Sequence, residues 1–132
     1  MARTTGNSES AVFSKSYSIS GTAVHAAVVG QANPFGADVD IVATQLRITT
    51  ASTGACTLDI GIGATATTNN DGQIDGASGA SAITLSSVKN AGTNGGSGQT
   101  WTTGTFLTVK EASGDSTGLV GILTVFYIYP SL

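Results

Sequence analysis

Gly118–Tyr129 reads GLVGILTVFYIY, and the rest of the chain is best understood from this stretch outward. The residues alternate between two faces if the stretch forms a β-strand, and here both faces are apolar. A strand in a two-layer sandwich needs only one apolar face. We therefore predict a strand whose second face is covered by another element, another subunit or a partner.

The two faces of this strand receive different roles in our prediction. The face that carries Ile122 is assigned to the core, and the opposite face is assigned to an interface with another subunit or a partner. The alternation alone leaves the reverse assignment open. The interface residues predicted on this strand are Leu119, Leu123, Val125, Tyr127 and Tyr129.

Composition favours strands throughout the chain. Charged residues make up 10% of the 132 residues, against about 25% in an ordinary globular domain, and no helical periodicity stands out. Short runs of Thr, Val and Ile lie between clusters of Gly, Asn, Asp and Ser, as strands between turns do. We predict an all-β fold, an antiparallel β-sandwich or jelly-roll-like single domain over residues 11–132 with about seven or eight strands.

The first ten residues, MARTTGNSES, differ from the rest because they are small, polar and without periodicity. They lack the apolar centre of a signal peptide. We predict a flexible N-terminal arm over residues 1–10, which is either a disordered tail or a segment that becomes ordered on a neighbour. The arm residues assigned to an interface with another subunit or a partner are Arg3, Thr4 and Thr5.

Two runs in the middle of the chain predict a hairpin. Ile41–Thr50 and Ala55–Gly63 both alternate, and a short Ser-Thr-Gly link joins them, which is typical of paired antiparallel strands. Ala64–Ala82 is expected to be a long polar loop. The side chains assigned to one face of the first run are Val42, Thr44, Leu46, Ile48 and Thr50.

The charge pattern argues against two classes of partner. The formal net charge is −3, and Lys and Arg form no cluster of the kind that binds nucleic acid or anionic lipid. The longest apolar run is shorter than the roughly 20 residues of a membrane helix. We predict neither a nucleic-acid nor a membrane partner.

No motif for catalysis or for a cofactor is present, so we predict no enzyme activity, no cofactor and no metal. Cys56 is the single cysteine, and its place in an alternating run predicts a small buried side chain. The lone His25 has no nearby metal-ligating partners. The loop with Asp71 and Asp75 lacks both end ligands of an EF-hand, which leaves open a calcium site of another kind.

Two longer stretches carry a further pattern, ASTGACTLDIGIGATATTNNDGQIDG at Ala51–Gly76 and GTFLTVKEASGDSTGLVGILTVFYIY at Gly104–Tyr129. Together they resemble small β-rich structural proteins of tailed bacteriophages, namely the capsid decoration, or head-auxiliary, proteins. The resemblance implies a virion protein on the capsid exterior, bound to the major capsid protein, often as a homotrimer. Low charge, no catalytic motif and a strand that is apolar on both faces agree with this implication.

The first functional hypothesis is therefore a structural protein that oligomerises, binds the outside of a phage head shell and stabilises it. The alternative is a carbohydrate-binding β-sandwich module of a virion or a secreted protein. Four aromatic side chains offer a platform on which sugars could stack, although packing is the commoner use of such residues. They are Tyr17, Trp101, Tyr127 and Tyr129.

Overall fold

The computed structural model describes residues 11–21, 27–82, 84–86 and 94–130. The predicted arm over residues 1–10, with Arg3, Thr4 and Thr5, lies outside these residues, as does His25. Within the described part the chain forms strands and no helix. The nine strands are β1 (Phe13–Ser20), β2 (Ala27–Ala32), β3 (Val39–Thr50), β4 (Cys56–Gly63), β5 (Ile74–Ser78), β6 (Thr84–Ser86), β7 (Gln99–Trp101), β8 (Phe106–Gly114) and β9 (Val120–Ile128).

The strands form two antiparallel sheets that pack against each other, which confirms the predicted all-β sandwich. The five-stranded sheet has the order β1-β9-β3-β6, with β7 paired to the other end of β3. The four-stranded sheet has the order β2-β8-β4-β5. The nine strands exceed the predicted seven or eight because β5 lies within residues 64–82, where a loop was expected. Two of the strands, β6 and β7, have only three residues each.

The core fills the space between the two sheets. Leu46 and Leu123 are fully buried on the five-stranded sheet, and Leu58 and Val109 are fully buried on the four-stranded sheet. Trp101 closes one end of this core and is also fully buried. Burial of a large apolar side chain contributes about 1.5–3 kcal/mol, so the inward rows of the long strands supply most of the folding free energy.

The predicted hairpin is wrong, because β3 and β4 belong to different sheets. The link between them makes its hydrogen bonds elsewhere: Ser52 N donates to Gly79 O at 2.9 Å, and Thr53 N donates to Thr117 O at 2.9 Å. These bonds attach the link to two other connections of the sandwich. The link therefore crosses from one sheet to the other.

A β-bulge in β3 corrects the predicted alternation of that strand. The register against β9 shifts between Ile41 and Ala43, and such a bulge adds one residue to one strand of a pair. Ile41 faces the core before the bulge, whereas Leu46 and Ile48 face it afterwards. Val42 was expected to share their face, but it is 47% exposed on the other side.

Candidate functional site

The two faces of β9 have opposite environments, and the structure reverses their predicted assignment. The register places Leu123 opposite Leu46 of β3, and directly opposite residues share one face of a sheet. This face is turned to the four-stranded sheet, so its side chains belong to the core and offer a partner no surface. Of the predicted interface residues, Leu119, Leu123 and Val125 are 0% exposed, Tyr127 is 7% exposed and Tyr129 is partly buried.

The other face of β9 carries an apolar row that remains accessible. Val120 is 44% exposed and Ile122 is 40% exposed, and the row continues through Thr124, Phe126 and Ile128, which are partly buried. Exposed serines of β1 flank one side of the row. These serines are Ser14, Ser16, Ser18 and Ser20.

We call the outward side chains of β1, β9 and β3 the outer face. Polar groups on this surface already satisfy part of their hydrogen-bonding capacity, since Ser16 Oγ and Thr124 Oγ1 lie 2.9 Å apart. On the β3 side Gln45 and Arg47 are exposed. The outer face is therefore an apolar row between two polar borders, a composition suited to contact with another protein.

One end of the outer face contains a cavity of about 480 Å³. The bulge of β3 shapes its wall, with Asp40, Val42 and Ile128 among the lining residues. Asp40 lies opposite Ile128 in the sheet, and its Oδ1 accepts a hydrogen bond from Thr100 Oγ1 at 2.8 Å. The sequence analysis did not single out Asp40, because the bulge that forms the cavity has no signature in the alternation.

The structure does not bring the four predicted sugar-binding aromatics together on the surface. Trp101 is fully buried, and its Nε1 donates to Thr105 O at 3.1 Å. Tyr127 packs against Phe35, with ring centroids 4.3 Å apart. Burial, followed by the charge of Tyr127, raises the pKa of Tyr17 to about 12. These rings serve packing at one end of the core.

Hydrogen bonds hold the loop that carries Asp71 and Asp75. Asn94 N donates to Asp75 Oδ2 at 3.0 Å, and Asn94 Nδ2 donates to Asp71 Oδ2 at 3.1 Å. Beneath them, the buried Asp59 accepts a hydrogen bond from Gly76 N at 2.9 Å. Burial raises the pKa of Asp59 above its ordinary value; the bonds from Gly76 and Asn69 oppose the shift, and the charges of Asp71 and Asp75 add to it. These carboxylates bind the loop to its neighbours.

Two further side chains are buried in the core region. Cys56 is 5% exposed, as predicted, and its Sγ lies 3.5 Å from Ser52 Oγ. Glu111 is 2% exposed, and its Oε2 accepts a hydrogen bond from Ser116 N at 2.6 Å. Among the described residues, neither side chain is hydrogen-bonded to the base or the second carboxylate that nucleophilic or glycosidic chemistry needs.

Metal-binding clusters and membrane-spanning helices are both absent from the described ranges. No group of three or more His, Cys, Asp or Glu residues there is arranged to hold a metal ion. The same residues include no helix with the length and apolarity needed to cross a membrane.

The comparisons with known proteins give no match. No family model, no curated protein and no solved structure is significantly similar to this chain. Functional reasoning therefore depends on the outer face and on the sequence resemblance.

Proposed function

We propose that this chain is a structural virion protein that decorates and stabilises the outside of a phage capsid shell. It would act as an oligomer, a homotrimer in the form that the sequence resemblance implies, with the major capsid protein as its partner. The proposal requires no catalytic group. It requires a rigid framework and a surface on which other protein chains can pack.

The exposed apolar row of β9 is the observation that carries this proposal. The opposite row completes the core without help, because Leu123 and Val125 are already fully buried. Val120 and Ile122 are therefore not needed to close the sandwich, and they remain 44% and 40% exposed. Contiguous exposed apolar side chains with a polar rim mark interaction sites, which supports self-association or capsid binding through the outer face.

The borders of the row support binding through area and shape. The serines of β1 present hydroxyl groups that donate and accept hydrogen bonds, and they carry no charge. An interface of this kind combines an apolar centre with neutral hydrogen bonds at its rim. We expect the outer face to bind a surface of similar composition.

The N-terminal arm supplies a second part of the proposal. Residues 1–10, with Arg3, Thr4 and Thr5, would become ordered on a neighbouring chain. Deletion of Ala2–Ser10 should leave the fold intact and weaken assembly or attachment to the shell. Equal assembly and equal shell binding by the truncated protein would show that the arm has no such role.

The proposal is tested by capsid binding. Purified virions of the phage that encodes the chain should contain it, and the protein should co-sediment with shells from which it has been removed. Ile122→Asp should reduce this binding by at least tenfold. Ala112→Asp is the matched control, because it adds the same charge at an exposed position of the four-stranded sheet. Absence from virions together with no shell binding would refute the proposal.

The carbohydrate-binding alternative has less support. Its main candidate, Trp101, is fully buried, so its ring has no free face for a sugar. A sugar that bound near this residue would change its fluorescence in a saturable way. A glycan array without a specific signal, and a flat fluorescence titration, are the results that the structural proposal predicts.

A further inference from the structure

We propose that Arg47 of one copy of this chain inserts into the cavity beside Asp40 of a second copy. This inference rests on the self-association in the proposed function, and it adds the specific pair of residues that sets the register between copies. It is carried by the juxtaposition of a cavity with a carboxylate at one end of the outer face and an exposed guanidinium toward the other end.

The cavity has the chemistry of a receptor for an arginine side chain. Its volume of about 480 Å³ lies in the range of roughly 300–1,000 Å³ that accommodates small ligands. Val42 and Ile128 provide apolar wall, against which the methylene stem of an arginine can pack. Asp40 supplies the carboxylate, and a guanidinium forms strong, directional hydrogen bonds with such a group.

The carboxylate of Asp40 can accept further hydrogen bonds from a guanidinium. Its Oδ1 accepts one hydrogen bond, from Thr100 Oγ1, and an ionised carboxylate has about four acceptor positions. Within the part of the chain that the structure describes, no basic side chain forms an ion pair with it. A cation from outside the subunit therefore meets a partly buried carboxylate that has unused acceptor positions.

Arg47 has the matching position on the same surface. It is exposed, and it lies opposite Ile122 of β9 and Thr84 of β6. Among the described residues it has no acidic partner. Lys110 lies in β8 of the other sheet, and Lys15 follows the inward-facing register of the edge strand β1. Arg47 is thus the described basic residue that the outer face presents.

The spacing along β3 connects the charged pair with the apolar row. Asp40 and Arg47 are seven residues apart, which corresponds to roughly 20–24 Å of strand. Ile122 lies beside Arg47 and Ile128 lies beside Asp40, so the apolar row of β9 runs between the two charges. A second copy that packs on this row can place its own Arg47 at the cavity.

We expect the arginine at this cavity to come from a second copy of the chain and not from the capsid. The surface carries both members of the pair, so the contact can repeat from one copy to the next. Such contacts between two different patches form a ring where the rotation between copies closes, as in the proposed trimer, and an open filament where it does not. Each chain would then contribute one arginine and one cavity.

Charge reversal tests this contact in the full-length protein. Arg47→Asp and Asp40→Arg should each weaken self-association at least tenfold, measured by light scattering over a concentration series. The double variant should restore association, because the charges are exchanged and not removed. Lys110→Asp is the control with the same change of charge on the other sheet, and it should associate like the wild type.

A second set of variants covers the case in which a reversal disturbs folding. Arg47→Gln and Asp40→Asn keep the size of each side chain, and the effect of the double variant should be no larger than that of either single variant, as expected for two groups that act on one another. Wild-type association that none of these substitutions weakens would overturn the contact and leave the proposed function intact. A wild type that stays monomeric would overturn both.

Discussion

Leu123→Asp and Ile122→Asp introduce the same carboxylate at adjacent positions of β9 and should have opposite consequences. Leu123 is fully buried between Leu46 of β3 and Tyr17 of β1 in the sheet register. Ile122 is 40% exposed on the outer face. A comparison of the two variants therefore separates the role of the core from the role of the surface within one strand.

The expected cost of the substitution at Leu123 is comparable to the total stability of a domain. Truncating a buried leucine costs about 2–5 kcal/mol, and burying an unpaired carboxylate adds several kcal/mol after relaxation. A domain has about 5–15 kcal/mol of stability in total. Leu123→Asp should thus be largely unfolded, whereas Ile122→Asp should cost about 1 kcal/mol, the span of β-propensity at a strand surface.

Circular dichroism and light scattering together measure the two outcomes. Ile122→Asp should keep the β-sheet spectrum and a cooperative thermal transition, and it should lose self-association. Leu123→Asp should lose the cooperative transition. A folded Leu123→Asp variant with the melting temperature of the wild type, or an unfolded Ile122→Asp variant, would refute the assignment of the two faces.

Two further substitutions test the packing and the electrostatics. Gly114→Ala should lower the free energy of unfolding clearly more than Gly104→Ala. Both glycines have positive φ, which costs a residue with a side chain about 1–2 kcal/mol, but only at Gly114 would the added Cβ press onto the carbonyl oxygen of Ala55, since Gly104 faces open space. Equal urea midpoints for the two variants would contradict this. Asp59→Asn should raise stability at pH 7, because the folded state raises the pKa of Asp59 and its ionised form is therefore unfavourable. The stability difference between Asp59→Asn and the wild type should shrink as the pH falls through the raised pKa toward the ordinary value of 3.8, since the wild-type carboxyl gains its proton there. A stability difference that widens on acidification would refute the direction of the pKa shift.

The sequence predicted the fold class because alternation is a local property. β3, β4 and β9 all occur where alternating runs predicted strands. Their boundaries moved by a few residues, as at β3, which begins at Val39 and not at Ile41. Local pattern therefore identified the long strands of the sandwich.

The pairing of strands depended on contacts that are distant in sequence. A five-residue link between two strands fits a hairpin and fits a crossing between sheets equally well. Here the hydrogen bonds of Ser52 and Thr53 to Gly79 and Thr117 select the crossing. The strand β5 was missed for a related reason: IDGAS has little apolar character, and pairing with β4 makes it a strand.

The candidate site was identified in part. The sequence showed that β9 has one more apolar face than a sandwich needs, and the structure shows that this extra face is exposed at Val120 and Ile122. Which face is inward follows from the register with β1 and β3, which alternation on a single strand does not encode. The cavity beside Asp40 depends on a bulge. Arg47, which we propose as its partner from a second copy, was not predicted because only the folded sheet places it on the same surface as Asp40.

The central claim is that the outer face joins this protein to other protein chains, and the mass of the wild type in solution tests it most directly. Light scattering at micromolar concentration should give a multiple of the 13.1 kDa chain mass, three chains for the proposed trimer. The same measurement on Ile122→Asp should give the mass of one chain. A wild-type mass of 13.1 kDa across the whole concentration range would contradict the account.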